Sequence, residues 1–360
     1  LGVILMAWSV WSVDTVTGGD RQRLPNPASF SWGRVLNSGG SGSAVFMLRD
    51  SVFSRLNPRT VLREKSRTLV LDWDGVVVYA GAVDRAVYDQ PSGRLTVNHS
   101  DIWTALSGRL ALDHRESVSK LVNQVFVSKS SGTVAKKMVE LAMQGLAGMN
   151  IVLPITLPAD VAGSITRTYY GYHSEWLRDV LQNLMDEDGG TDIDFQPRWV
   201  GNNLDWLMRT GSLSSGSYEW HVGAEKSGVL DLSHTTDAMN VATSAHANGE
   251  GSGVDKLARS TRNLSPTYPF ADRMSTFATE TSVDALSRYA LGELNAYSTP
   301  TEQWAFSVLA SGTPKVSDLL LGGTAKTWMQ DDPWLTEKSY TNRIIGFSGD
   351  LSETVKLQFQ

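Results

Sequence analysis

Apolar and β-branched residues crowd the stretch Arg67–Val83 and resume at Ala86–Val97, and the first run is broken only by Asp74-Gly75. That dipeptide accepts the positive φ angles of a tight hairpin turn, so the pattern predicts two antiparallel strands meeting there. A second turn at Asp89-Gln90-Pro91-Ser92-Gly93 sends the chain into Arg94–Val97. The segment therefore reads as a three-strand meander around which the rest is organised.

Before it, Trp8–Asp14 alternates with a period of two and predicts a strand, followed by a turn at Thr17–Asp20 and an extended run from Leu24 through Pro27. Ser29–Asn37 and Ala44–Leu48 read as strands joined by the flexible loop Ser38–Gly42, and Pro58 with the charged run Arg59–Arg67 leads into the meander. A short helix is expected over Asp101–Leu106, capped by Ser100 or Asp101. The period then changes. Helices are expected over Glu116–Phe126 and over Thr133–Leu146, where Val134, Met138, Leu141, Ala142 and Leu146 share a face and Gly145 and Gly148 end the run. Ile151–Leu157, with prolines at 154 and 158, reads as an edge strand, and Ile165–Tyr170 as extended chain. A helix follows over Ser174–Glu187, with Ser174 as cap, Trp176, Leu177, Val180, Leu181 and Leu184 inward, and Gly189-Gly190 as its stop.

Alternation returns in Asp192–Trp199 and Leu204–Met208 around a turn at Gly201–Asn203, then in Val229–Ser233 and Ala238–His246. Asn248, Gly249, Gly251 and Gly253 mark a freely bending hairpin tip, with Val254–Arg259 pairing back, and such an arm is expected to reach a neighbour or a lumen. A helix over Thr281–Tyr297 precedes a strand-rich end: Gln303–Leu309, Val316–Leu320, Ala325–Met329, Asn342–Phe347 and Glu353–Phe359. The fold class is α+β. The expected division is a β domain at 1–112, a helix-rich α/β region at 113–190, a β domain with a long hairpin at 191–280, and a helix plus small β module at 281–360.

Composition narrows the function. A chain of 360 residues with 41% hydrophobic and only 19% charged residues suits several modest domains and wide polar interfaces. The net charge of −6 gives no basic footprint for nucleic acid, although a neutral or acidic wall would let DNA slide past. With no cysteine there are no disulfides, thiolate metal sites or cysteine nucleophiles. Leu1–Met6 is apolar but short and lacks a basic flank, so it reads as neither signal peptide nor membrane span. A non-standard start codon, upstream trimming or an alternative start at Met6 would account for the opening Leu1.

Several patterns raise chemistry and are weighed against plainer readings. Four apolar positions leading to Asp72-Trp73-Asp74-Gly75-Val76 resemble the first motif of haloacid-dehalogenase-type phosphatases. That resemblance implies Asp72 as nucleophile, Asp74 as general acid and Mg²⁺ between carboxylates, with Asp331-Asp332 as the later acidic motif and Lys315 or Lys326 as the lysine. Against it, Val76–Ala80 is a returning β run where that family opens into a loop and helix. The histidines at 99, 114, 173, 221, 234 and 246 have no metal-binding spacing, and only convergence of His221, His234 and His246 on adjoining strands would make a zinc site. Ser41 in Gly40-Ser41-Gly42 lacks the spacing and helix of a nucleophile elbow, and Ser38–Gly42 lacks the lysine and helix of a phosphate loop. Gly322–Thr327 reads as a hairpin turn rather than a nucleotide loop. Asp186, Glu187 and Asp188 recommend themselves as solvated helix-end acids before glycosidase carboxylates. Twelve tryptophans at periodic positions read as core and interface anchors before a sugar-binding surface. The expectation is no catalysis, no cofactor and no metal.

Trp11 with Asp14 and Thr17-Gly18, Ser31-Trp32 with Leu36-Asn37, Leu69–Trp73, Val78–Val83, and Tyr88-Asp89 with Gly93–Val97 form an ordered series of aromatics and turns. Trp176-Leu177, Gly189–Phe195, Asn203–Trp206 and Asn342–Gly346 continue it through most of the chain. This order resembles the hub-type minor tail proteins of long-tailed bacteriophages (siphoviruses), particularly those of actinobacteria. The resemblance implies tail-tube-like antiparallel β-barrel or sandwich domains flanking a helical region, as in contractile-tail hubs, with β domains built from separated segments. It implies a homotrimer forming a pseudo-hexameric ring at the virion tail tip. The implied partners are the distal tail protein or tail-tube ring, the tape-measure protein and other minor tail proteins. DNA would pass only in transit. In that frame Asp74 and Gly75 turn the central hairpin, Trp73 and Trp103 anchor its packing, and Asn248, Gly249, Gly251 and Gly253 serve the interface.

Overall fold

The computed structural model describes residues 8–49, 53–113, 122–143, 153–224, 228–265 and 267–360. In chain order, β1 (Trp8–Asp14) and the two-residue β2 (Gln22–Arg23) precede β3 (Ser29–Val35) and β4 (Ser41–Met47). A short helix α1 (Pro58–Val61) leads to the meander β5 (Arg67–Trp73), β6 (Val76–Asp89) and β7 (Arg94–Ser100), and α2 (Ile102–Ser107) follows. The middle of the chain holds β8 (Gln124–Lys129), α3 (Ser131–Ala142), β9 (Ile155–Thr156), β10 (Ile165–Tyr169), α4 (Leu177–Asp186), β11 (Asp192–Val200) and β12 (Asn203–Gly211). Then come β13 (Ser217–His221), β14 (Val229–Asp237), β15 (Ser244–Asn248), β16 (Ala258–Arg262), β17 (Asp272–Thr276) and α5 (Val283–Tyr297). The chain ends with β18 (Thr301–Leu309), β19 (Thr324–Trp328), β20 (Ser339–Gly349) and β21 (Thr354–Phe359).

The central hairpin forms as the sequence demands. Asp74 and Gly75 carry φ of 54° and 81°, and β5 and β6 pair antiparallel from Trp73↔Val76 to Thr68↔Ala82. β6 is long enough to serve two partners: its first half pairs β5 and its second half pairs β7, with irregularities in register at Leu71/Asp72 and Val83/Arg85. Such bulges bend a strand and increase its twist.

β20 plays the same part at the other end. Ser339–Arg343 pairs β19, whereas Gly346–Gly349 pairs β3, and β21 lies alongside its second half. Through β20 the opening and closing parts of the chain share one hydrogen-bonded path, β14-β18-β21-β20-β3-β4-β7-β6-β5-β1-β2, with β13 and β19 branching from it. The path has two ends, so the barrel half of the expected barrel-or-sandwich fold does not close among the described residues. Folding back on itself, the path encloses a core holding Trp8, Trp32, Tyr79, Trp220, Phe306 and Phe359. The indoles of Trp8 and Trp32 donate to the carbonyls of Ser352 and Asp350, which fixes the loop before β21 against β1 and β3.

A second core gathers α3, α4, β11 and β12 under the first sheet, and a third packs α5 on the three-stranded sheet β16-β15-β17. On α3, Val134, Met138, Leu141 and Ala142 are buried along the face that their spacing predicts; Leu146, Gly145 and Gly148 lie outside the described residues. α4 starts later than expected. Ser174 adopts the left-handed region, Trp176 precedes the helix without a side-chain cap, and its indole stays 43% exposed while Leu177, Val180, Leu181 and Leu184 are buried.

Other expectations change. Gln124–Phe126, assigned to a helix by pattern, is in β8 because Phe126 pairs Arg167 of β10 and its ring meets Tyr169 edge-on; 114–121 lie outside the described residues, as do 1–7. Val316–Asp318 is a helical turn rather than a strand, and of the expected turn Gly322–Thr327 only Gly322 lies in a turn, with φ of 82°, while Thr324–Thr327 runs in β19. Ala238–Thr243 is irregular chain, so the hairpin arm starts at Ser244 and pairs Ala258–Arg262.

A seam of buried charge joins the first sheet to the helical region. Asp194 on β11 accepts from Arg34 of β3 at 2.9 Å and from Arg209 of β12 at 3.1 Å. Beside it, Asp192 accepts from Asn37 and Arg343, and the Asn37 side chain accepts from the Ile193 amide at 2.8 Å. Asp194→Ala leaves two buried guanidinium groups uncompensated and is expected to cost about 3–5 kcal/mol, read as a fall in the urea unfolding midpoint. At Gly75 an added Cβ meets nothing within 4 Å, so only the positive φ resists substitution. Gly75→Val is expected to cost about 1–2 kcal/mol in the same measurement, and an unchanged midpoint would remove this turn from the determinants of the hairpin.

Candidate assembly surfaces

The carboxylate that the phosphatase reading makes a nucleophile is occupied. Asp72 is buried, and its Oδ2 accepts from the indole N–H of Trp11 at 2.7 Å and of Trp199 at 3.3 Å. Arg21 stands 3.5 Å away with its guanidinium between the two rings, 3.9 Å from the centroid of Trp11 and 3.8 Å from that of Trp199. Burial pushes the Asp72 carboxyl up, against the pull of the indole donors and Arg21. The sandwich thus clamps β11 to the first sheet through cation–π contact and hydrogen bonds. Asp74 points out in the turn, and after it β6 returns antiparallel with no helix. Asp332 spends its carboxylate on the amides of Trp334 and Leu335, and Lys326 lies over the Trp328 ring. The phosphatase motif is therefore a match of letters without its structural context.

The remaining sequence candidates disperse. His221 stacks on Trp328, His234 packs on Trp304, and His246 is beside Ser244 on a separate sheet. His99 is buried and shares a hydrogen bond of 2.8 Å with the Tyr79 hydroxyl, and His173 sits among Tyr170 and Tyr172. His114 lies outside the described residues, among which no group of three or more His, Cys, Asp or Glu could hold a metal ion. Ser41 begins β4 and pairs Ser100. Glu187 is not solvated: it is buried between Arg167 at 2.6 Å and Arg288 at 3.0 Å, which ties α4 to α5.

The residues expected to act structurally fall into two groups. Trp73 is buried edge-on to Trp8 at 4.6 Å, and Trp103, packed against the core that Val70, Val77 and Ala80 of the hairpin also enter, meets Phe195 edge-on at 5.7 Å and so joins α2 to β11. In the arm, Gly249 is held down: a Cβ there would lie 2.6 Å from the carbonyl of Glu280 and 2.8 Å from the Leu286 side chain. Asn248 ends β15, and the exposed tip is confined to Glu250–Lys256, where Gly251 and Gly253 take φ of 110° and 58°.

Several open edges lie in the later part of the chain. β14 is a nine-residue strand bonded to β18 on one side and to no strand on the other among the described residues. β16 and β17 form both edges of their sheet and are largely exposed. Met239, Val254, Leu264, Phe270 and Met274 are exposed on the same stretch of chain. Unpaired strand edges beside exposed apolar side chains are templates for another chain. Sequence pattern alone missed this, because β14 alternates no differently from a paired strand.

Asp101 ties the Ser38–Gly42 loop to the sheet. One carboxylate oxygen accepts from the Gly40 amide at 2.6 Å and the other caps α2 at the Trp103 amide. Burial pushes this carboxyl up to about 7, against the pull of those amides and Arg34. The native chain then holds a proton that the unfolded chain has released, so stability falls as pH rises from about 4 to about 7. Asp101→Asn is expected to flatten that slope in thermal denaturation scans; a slope as steep as in the parent chain would show that Asp101 does not titrate there.

No protein-family model matches the sequence, and no curated protein matches it. Solved structures do. The 43 kDa tail protein of prophage MuSo2 from Shewanella oneidensis superposes with a TM-score of 0.62 at 10% identity, covering 98% of each chain. A tail protein from Neisseria meningitidis MC58 gives a TM-score of 0.59 at 12% identity over 98% of this chain and 96% of that one. Prophage tail protein gp18 from Listeria monocytogenes EGD-e gives 0.53 at 10% identity over 98% and 94%. At such identities the likeness is one of fold, and the fold of this chain, from end to end, is one found in phage tail proteins.

Proposed function

We propose that this chain is a non-enzymatic structural protein of a phage tail, the hub ring at the tail tip. The observation that carries the reading is the correspondence of whole chains: 98% of this chain aligns with 94–98% of three tail proteins. In this reading three copies form a ring that continues the tail tube toward the distal adhesion apparatus of the virion.

Two features support a ring. β14, β16 and β17 present open edges, and sheet continuation between neighbours satisfies their backbone groups. The paired halves of the long sheet path meet at β20 and β3, so each copy carries two sheet faces that can occupy successive positions around a tube. The tip of the arm at Gly251 and Gly253 faces a neighbour or the lumen in this reading, and the modest net charge of −6 suits a wall past which DNA moves in transit. The proposed neighbours are the distal tail protein or a tail-tube ring, the tape-measure protein and other minor tail proteins, and the phage type proposed is a long-tailed one, in particular of the kind that infects actinobacteria. Among the described residues no helix is long and apolar enough to cross a membrane.

Electron-microscopy class averages of concentrated protein and of tail tips test this directly. The expected image is a ring with three-fold symmetry and a central channel. Compact monomers, together with tails that hold no density for this chain, would refute it.

A further inference from the structure

The loop between β19 and β20 carries an acidic tryptophan knob. Asp332 accepts from the amides of Trp334 at 2.9 Å and Leu335 at 2.7 Å, and Leu335 is buried in the main core. With both ends of the turn fixed, the Trp334 indole is held out at 74% exposure, its N–H donating to Nδ1 of His234 on β14 at 3.2 Å. A large ring fixed in solvent loses little freedom on docking, and tryptophan is among the strongest anchors of protein interfaces. Asp331 and Glu337 flank it, with Lys338 the only basic residue between 330 and 339.

A complementary cleft lies on the other half of the sheet path. It measures about 650 Å³ and is floored by Leu48, Leu62, Ala86 and Leu95 between α1 and the β6–β7 hairpin. That size falls within the roughly 300–1,000 Å³ of clefts that take a ligand or a large side chain. Arg59 on α1 and Arg63 just beyond it rim it from solvent, and neither forms an ion pair among the described residues. Tyr88 and Val87 at the hairpin end are exposed beside it.

We propose that the Trp334 knob of one copy seats in the Arg59–Arg63 cleft of the next copy. The knob brings one apolar ring flanked by the carboxylates of Asp331 and Glu337; the cleft offers an apolar floor and two guanidinium groups able to pair the acids and cover the ring face. Knob and cleft are different patches of one chain, so the contact is head-to-tail, the type that closes into a ring when the rotation allows. The proposal rests on the ring reading above and assigns it one specific contact.

The absence of cysteine makes the test clean. Thr60→Cys at the cleft rim and Pro333→Cys beside the knob each give a chain with a single thiol. The two variants, differently tagged, are mixed at high concentration and oxidised, and the parent chain and Trp334→Ala are followed by sedimentation velocity. The expected result is a disulfide dimer containing one of each variant, and self-association weakened roughly tenfold or more by Trp334→Ala. Trimers that form without the mixed disulfide, or that Trp334→Ala leaves equally tight, would overturn the contact and leave the ring standing. A chain that stays monomeric at every concentration, with no mixed disulfide, would overturn both.

Discussion

Asp194 between Arg34 and Arg209 is the constraint on which the arrangement of this chain depends. Hydrophobic burial is tolerant of direction, and apolar sheet faces slide over one another at little cost. Three buried charges are not tolerant, because each loses its hydration and regains it only in one geometry. By requiring β3, β11 and β12 to meet at one point, the seam sets how the first sheet sits on the helical region. Asp192, Asn37 and Arg343 repeat the requirement one step along and add β20.

The same logic recurs at the other joints. Arg21 between Trp11 and Trp199, facing Asp72, locks the far end of β11 to β1 and β5. Glu187 between Arg167 and Arg288 locks α4 to α5. The first and second cores share strands β1, β5 and β6, whose apolar residues alternate between them, and ionic contacts are added at the joints with β11 and with α5. That arrangement suits a chain that has to hold several packed units in fixed relation while leaving strand edges open, since the ionic joints select an orientation that apolar packing alone leaves loose. The open edges then become the resource for assembly rather than a defect of the fold.

Some of this was legible residue by residue. Asp74-Gly75, the helical spacing of Val134, Met138 and Leu141, and the Asp101 cap all follow from local backbone and periodicity rules, and all three form as expected. The misassignments have a common cause. Gln124–Phe126 carries no periodicity strong enough to override its pairing with β10, Ser174 loses its cap to a left-handed turn, and Glu187 looks like any helix-end acid until Arg167 and Arg288 arrive from other parts of the chain. The match of Asp72 and Asp74 to a catalytic motif fails for the same reason: the letters are local, but Trp11, Trp199 and Arg21 decide what the carboxylate does.

By itself the sequence determined the central meander and its positive-φ turn, the buried faces of α3 and α4 and the exclusion of cysteine chemistry, because these depend on residues within a few positions of one another. Only the tertiary structure decided that β20 divides its length between β19 and β3, that β14 is left with a bare edge, and that Trp334 stands in solvent while Trp73 is buried. A strand's pattern records which face is apolar but not which chain, if any, lies along its edge. Backbone hydrogen bonding carries no side-chain signature, so the surfaces most concerned with assembly are the ones least written in the order of residues.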